Sequence, residues 1–454
     1  MTTPPASPVR AHPEPDWPRA VADCRRVLAD LIAFDTTNPP GNENVAVEYL
    51  KRLLEAEGIE CRTYEPVPGR GNLVARLRGS GRKPPLLVMG HLDVVGVERD
   101  QWDGDPFHME ERDGFLYGRG VIDDKGMVAA EAVTMLWLKR LGIALDRDVI
   151  LLAECDEESG GKWGVRWMIE NHLDAIRAEF AINEGGRATV TASGEAWVGL
   201  QTAEKRGVNF LLTASGKAGH ASMPREDNCI AALGRALVRV TDPLFPVSLT
   251  AETKVFFGDL APLYPGEMGE AMRDVGDPAR AEAAGRAIGR DIMFGAMLRH
   301  TVSPTLVKGG FRGNVIPAQA EATLNVRMLP GTDPEALAGE LRRRIADPRV
   351  AVSFPPPTRP EAPAMPFEGP VVEAARAAAS EVLPGAVVVP LLSTGATDSA
   401  QLRAVGIQAY GLLPFPLTTE DTARMHGENE RMPVASLETG LRLLYGIVAR
   451  VAGV

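Results

Sequence analysis

Two adjacent carboxylates, Glu157 and Glu158, follow the apolar run Val149-Ile150-Leu151-Leu152-Ala153 and precede Ser159-Gly160-Gly161. Neighbouring carboxylates repel, so a cation beside them would account for the pairing, one acting as ligand and the other left free as a base. Alone, such a pair reads equally well as a solvated acidic loop. Further polar clusters argue for the cation. His91-Leu92-Asp93 closes the run Leu86-Leu87-Val88-Met89. A ligand histidine gives its second ring N–H to a carboxylate, and Asp93 is close enough in sequence to accept it across the turn. Asp123-Asp124 follows Gly118-Arg119-Gly120 at the start of an apolar segment. One aspartate suits a helix N-cap and the other a metal, and spacing does not separate them. Glu184 closes Phe180-Ala181-Ile182-Asn183, and His426 stands in His426-Gly427-Glu428-Asn429-Glu430. Carboxylate oxygens with imidazole nitrogens suit zinc, manganese or cobalt.

The elements that must position these groups are short buried strands and amphipathic helices. Apolar spacing predicts helices over Trp17 to Phe34 and Val45 to Glu57. It predicts strands over Asn72 to Leu77, Leu86 to Met89, Val149 to Ala153 and Phe180 to Asn183, with a helix over Met127 to Leu141 and another over Lys162 to Glu170. Residues 194–356 change texture. An alternating strand, Val208 to Ala214, leads into the loop Gly216 to Pro224, which carries His220. A helix over Asp227 to Thr241, an irregular Gly/Pro-rich stretch over Gly258 to Asp277 and a helix over Ala279 to Arg299 follow. Strands over Thr305 to Lys308, Glu321 to Arg327 and Val350 to Phe354, and a helix over Asp333 to Ala346, complete a two-layer α/β domain. Helix and buried strand then return up to a last helix, Val434 to Ala449. The expected division is a disordered tail over 1–18, a domain of 19–198 plus 357–454, and an inserted domain over 199–356.

Composition excludes several classes. The chain has 454 residues, 45% hydrophobic and 24% charged, an ordinary globular mix. No apolar run reaches the roughly 20 residues of a membrane span, and the Pro-rich start lacks a signal-peptide core. A formal net charge of −11 argues against a nucleic-acid partner, and no basic amphipathic segment calls for a membrane partner. The four cysteines, Cys24, Cys61, Cys155 and Cys229, lack CxxC spacing, which points to free thiols and a cytoplasmic location. Cys155 reads as a buried strand-end thiol.

Taken in order, Gly90-His91-Leu92-Asp93-Val94-Val95, Gly118-Arg119-Gly120 with Asp123 and Lys125, Glu157-Glu158-Ser159-Gly160, Asn183-Glu184-Gly185-Gly186, Gly219-His220-Ala221-Ser222-Met223-Pro224 and His426-Gly427-Glu428-Asn429-Glu430 resemble the M20 family of metallopeptidases and aminoacylases. The resemblance covers residues 20 to 450. Thr202 to Arg206 and the Glu184 motif are most similar to the carboxypeptidase S and aminoacylase branches, although some relatives carry Asp where this chain has Glu184.

The resemblance implies a zinc-exopeptidase-like fold: a three-layer α/β/α catalytic domain with an inserted two-layer lid that makes a homodimer. It implies two Zn2+ per chain, replaceable by Co2+ or Mn2+, with Asp123 bridging. His91 and Glu184 would complete one site, and Glu158 and His426 the other. Glu157 would be the general base and Asp93 the support for His91, and the Asp123–Asp124 bond would be cis. His220 would reach the partner's site and steady an oxyanion. Asn314, Arg327, Gly395, Thr397 and Asp398 would bind substrate, Arg327 through a terminal carboxylate. The implied reaction is hydrolysis of an N-acyl amino acid or small peptide, the alternatives being a dipeptidase or carboxypeptidase and, in a different class, a catalytically silent metal-binding scaffold.

Overall fold

The computed structural model describes residues 13–356 and 361–453. Most of the expected tail, residues 1–12, lies outside them. Residues 17 and 18, assigned to that tail, are helical: Asp16 caps the helix Trp17–Ile32 by accepting from the Arg19 N–H. The chain forms two compact units. One comprises the residues up to Thr202 with Met365–Leu391 and Thr397–Val454, and the other comprises Ala203–Ala364 with Leu392–Ala396.

The first unit is built on a ten-stranded sheet. Nine strands form a path, Glu60–Val67, Arg70–Leu77, Val149–Glu154, Leu86–His91, Phe180–Asn183, Gln408–Gly411, Ala196–Glu204, Arg187–Val190, Pro416–Leu417, and the tenth, Val387–Ser393, pairs with Ala196–Glu204 off it. Leu86–His91 pairs in parallel with Val149–Glu154 and with Phe180–Asn183, which pairs in parallel with Gln408–Gly411. These central strands are buried on both faces, which explains their unbroken apolar runs. Their residues alternate between two cores. Leu86, Val88, Leu151 and Ala153 pack with the helices Trp17–Ile32, Lys125–Arg140, Pro370–Val382 and Val434–Ala452. Leu87, Met89, Ile150 and Leu152 pack with Val165–Ile176 and Ser399–Ala404. The result is three layers, α/β/α. Because the central strands run in parallel, His91, Glu154 and Asn183 all end at one edge of the sheet, where open α/β sheets build their sites.

The helix Lys125–Arg140 is buried from Lys125 through Leu138. A helix buried on every side lies in the interior, and this one, whose buried span is apolar apart from Lys125, Glu131 and Thr134, lies under the edge that carries the polar clusters. Several elements escaped the sequence reading. The edge strand Glu60–Val67 is largely exposed, and the hairpin Glu110–Arg112 with Phe115–Tyr117 is too short to show a period.

The second unit holds an antiparallel four-stranded sheet in the order Thr301–Gly309, Gln319–Met328, Arg206–Ser215, Val350–Ser353. Helices Cys229–Thr241 and Pro334–Ile345 share its core. The stretch expected to be irregular, Gly258 to Asp277, is mostly helical, holding the end of Ala251–Leu260 and all of Glu267–Asp274, and the single helix expected over Ala279 to Arg299 is broken at Gly289 into Ala281–Ile288 and Ile292–Met297. Phe256, Phe257 and Phe294 pack edge to face here, with Tyr264 against Phe294. Gly266, at φ +69°, starts one of these helices, so the Gly/Pro content marks the joints between short helices.

Candidate metal centre

His91 ends its strand with the ring buried. Its Nδ1 lies 2.9 Å from the Asp93 carbonyl oxygen and 3.5 Å from the Asp93 carboxylate. A carbonyl only accepts, so Nδ1 carries a proton there, and Nε2 faces Asp123 Oδ1 at 3.0 Å. The nearer support of His91 is thus the backbone of Asp93. The Asp93 carboxylate reaches a second element: it accepts from the Glu157 and Glu158 N–H groups, each at 3.2 Å, and from Asn38 Nδ2 at 2.8 Å. Burial would raise the Asp93 carboxyl, but the hydrogen bonds from His91, Asn38 and Glu158 hold it below the usual carboxylate range.

The loop bearing Glu157 and Glu158 begins at Asp156, a non-glycine residue at φ +73°. Arg70 and Asn38 both donate to Asp156 Oδ1, at 2.9 and 3.2 Å, and Asp156 Oδ2 accepts from the Trp163 N–H. Those bonds hold the left-handed turn that presents the two glutamates. Asn38 and Arg70 carried no role in the sequence reading. Asn38 sits in a Pro-rich turn that shows only as a helix breaker.

Asp123 and Asp124, joined by a cis peptide bond, part company in space. Asp123 presents Oδ1 to His91 and Oδ2 to His426, at 3.0 and 2.9 Å, and His426 Nε2 lies 3.3 Å from Glu158 Oε1. Asp124 occupies the N-cap position without a capping bond, and its Oδ2 accepts from the His91 N–H at 3.3 Å. Gly90 makes room for this contact: a Cβ there would stand 2.3 Å from that oxygen.

Two sets of ligand atoms converge within 4.8 Å, His91 with Asp123 and Glu158, and His91 with Glu157 and Glu184. Burial, then the charges of Glu157 and Asp123, push the Glu184 carboxyl well up, and burial does the same to Asp124. Hydrogen bonds to Asp123 and Glu158 push the His426 imidazole up to about 10. Burial works against the charge on His91, but Asp123 and Asp93 still raise it well above its ordinary value. The bare cluster therefore needs protons on its imidazoles and on some carboxyls. Divalent cations would replace those protons, so the donor set fits metal.

The remaining expected residues lie elsewhere. His220 ends the two-residue strand Gly219–His220, exposed, paired with Val315 in the second unit. Its Nδ1 accepts from the Ser222 N–H at 3.2 Å, which leaves Nε2 as the donor of the ring. The Asn314 carbonyl accepts from the Ala221 N–H, and Arg327 Nε donates to Asn325 Oδ1. Gly395 is exposed. Thr397 and Asp398 lead into the helix Ser399–Ala404. Both are buried, Thr397 Oγ1 accepting from the Ser399 N–H and Asp398 Oδ1 from Gln401 Nε2.

Residues 87–450 match the model of Peptidase family M20/M25/M40. The chain belongs to that family. It is therefore a hydrolase of peptide or amide bonds, in a family whose members depend on metal. The chain is 28% identical over 404 residues to an N-fatty-acyl-amino acid synthase/hydrolase of Xenopus tropicalis, covering 86% of this chain and 77% of the relative. It is 26% identical over 438 residues to mouse aminoacylase-1, covering 94% and 95%. Its fold matches an M20 family metallo-carboxypeptidase from Sulfolobus solfataricus with a TM-score of 0.71 at 19% identity, covering 94% and 99%. No helix among the described residues is long and apolar enough to cross a membrane.

Proposed function

We propose that this M20 chain is a two-zinc amidohydrolase that cleaves N-acyl amino acids, with Glu157 as general base. The observation that carries the reading is the Asp123 carboxylate held between His91 and His426, with Glu157 on the loop that Asp93 tethers to His91. Asp123 would bridge the metals, His91 and Glu184 completing one site and Glu158 and His426 the other. A bound metal pair supplies Lewis acidity, polarising the amide carbonyl and acidifying a water toward a pKa of about 7. Glu157 takes the proton of the attacking water and returns it to the departing amine nitrogen. His220, with Nε2–H free to donate, steadies the oxyanion from a partner chain. Asn314 and Arg327 hold the substrate, Arg327 pairing with its free carboxylate. The four free thiols suit a reducing cytoplasm.

Zinc-restored amine release from N-acyl amino acids, measured on chelator-stripped protein across a panel of acylated amino acids and dipeptides, is the expected result. Cleavage of dipeptides alone would replace this reading with an exopeptidase.

The dimer is proposed to form through the second unit. Its edge strand Thr301–Gly309 is exposed from Ser303 onward, with Leu306 and Val307 bare. An exposed apolar edge is a template for pairing with a second strand. Leu306→Lys with Val307→Asp should sediment as a monomer that still binds zinc and has lost activity. A fully active monomer would remove His220 from the reaction.

A further inference from the structure

Glu430 closes the last of the quoted motifs, is fully buried, and its carboxylate meets the candidate ligand Asp123 through that residue's backbone N–H. Its carboxylate collects four donors. Oε1 accepts from the Ile122 and Asp123 N–H groups, at 2.8 and 3.1 Å. Oε2 accepts from the Gly120 N–H at 3.0 Å and from Arg119 Nη1 at 2.7 Å. Arg119 is itself 2% exposed, lies over the Trp102 ring and donates through Nη2 to the Gly427 carbonyl at 2.8 Å. Gly427 follows His426, whose backbone is left-handed at φ +63°.

We infer that the Arg119–Glu430 pair is a positioning clamp that sets Asp123 against His426 and so fixes the spacing of the metal site. One end of the clamp grips the backbone of Asp123, and the other grips the residue after His426. These two candidate ligands are remote in sequence; the short strand pair Phe115–Tyr117 with Arg431–Pro433 brings their segments side by side, and the ion pair links them beyond the end of that pairing. A buried ion pair by itself is weak evidence of a role in stability, since apolar residues of similar volume often serve as well. An apolar side chain cannot receive the N–H groups of Gly120, Ile122 and Asp123, which are shared between the two oxygens of one carboxylate. Glutamine in place of Glu430 would turn an amide NH2 toward donors. It would also leave the Arg119 cation buried without its counter-charge. The segment Gly120–Asp123 would then lose its anchor, and with it the placement of the Asp123 carboxylate. Outer groups that orient metal ligands typically change affinity by about 10- to 100-fold when replaced.

The inference rests on the metal reading proposed above, and the test separates the two. Zn2+ is titrated into the chelator-stripped full-length chain against a chromophoric chelator. The unaltered chain is compared with Glu430→Gln, with the double variant Arg119→Gln/Glu430→Gln, and with Asp123→Ala. The double variant removes both charges together, so no uncompensated cation is left to unfold the chain. Each titration is run below the onset of the variant's cooperative thermal melt. Both Glu430 variants are expected to bind Zn2+ at least about tenfold more weakly. The visible spectrum of the Co2+-loaded double variant is expected to change, which a purely structural pair would not cause. A folded double variant with unaltered Zn2+ affinity and an unaltered Co2+ spectrum would overturn the clamp. Unaltered Zn2+ binding by Asp123→Ala would overturn the metal reading, and the clamp with it.

Discussion

Glu157→Ala is expected to bind zinc with the stoichiometry of the unaltered chain and to turn over about 10²- to 10⁴-fold more slowly, the usual contribution of a general base. The contrast with its neighbour makes the test sharp. Glu158 lies in the group with His91 and Asp123, with His426 3.3 Å from its Oε1. Glu158→Ala should therefore lose metal as well as rate. Glu157 also lies within ligand distance of His91 and Glu184. If Glu157→Ala loses one zinc equivalent, Glu157 is a ligand, and the base must be sought elsewhere. Asp93 supplies an internal control. It accepts from the Glu157 N–H, so Asp93→Asn should slow the reaction by loosening the loop while leaving the Glu157 carboxylate in place. Zinc stoichiometry, from equilibrium dialysis with metal analysis, and kcat are the two quantities to measure.

Zinc affinity is expected to rise at least about tenfold for each unit of pH between 6 and 8, because His426 must give up a proton to become a ligand. The bonds from Asp123 and Glu158 hold its imidazole at about 10, so in the metal-free chain the ring is charged throughout this range. Each unit of pH removes a factor of about ten in proton competition at that ring, and the gain levels off above its pKa. His91 is raised too and adds a second competing proton. Calorimetry in buffers of differing ionisation enthalpy should therefore register at least one proton released per zinc at neutral pH. Affinity that does not change from pH 6 to 8 would remove His426 from the ligand set. In the metal-free chain the same shift favours the fold fully below about pH 6.5. That contribution is lost as the pH rises through about 10.

The strands that end at His91, Glu154 and Asn183 were legible because burial on both faces forces unbroken apolar runs, and a turn must follow each run. Chemistry collects at such turns, so the clusters His91, Asp123, Glu157 with Glu158, Glu184 and His426 could be read from one sequence. The inserted two-layer unit also showed itself, through its alternating strand, Arg206–Ser215. The helices inside Gly258 to Asp277 did not, because runs of 8 and 10 residues with glycine at their joints carry too few turns to display a period.

Residue types and their order along the chain determined which side chains could hold a metal and which fold could gather them. Only the tertiary structure decided their partners. It separated Asp123 from Asp124, which local spacing leaves equivalent, because one carboxylate meets two imidazoles and the other sits against the His91 backbone. It buried Thr397 and Asp398 in an interior that a polar glycine loop does not advertise. It gave Asn38, Arg70, Arg119 and Glu430 their work through hydrogen bonds to residues remote in sequence. Such contacts leave no periodicity behind, since what fixes them is the meeting of distant backbone in a buried place where every donor and charge must find its counterpart.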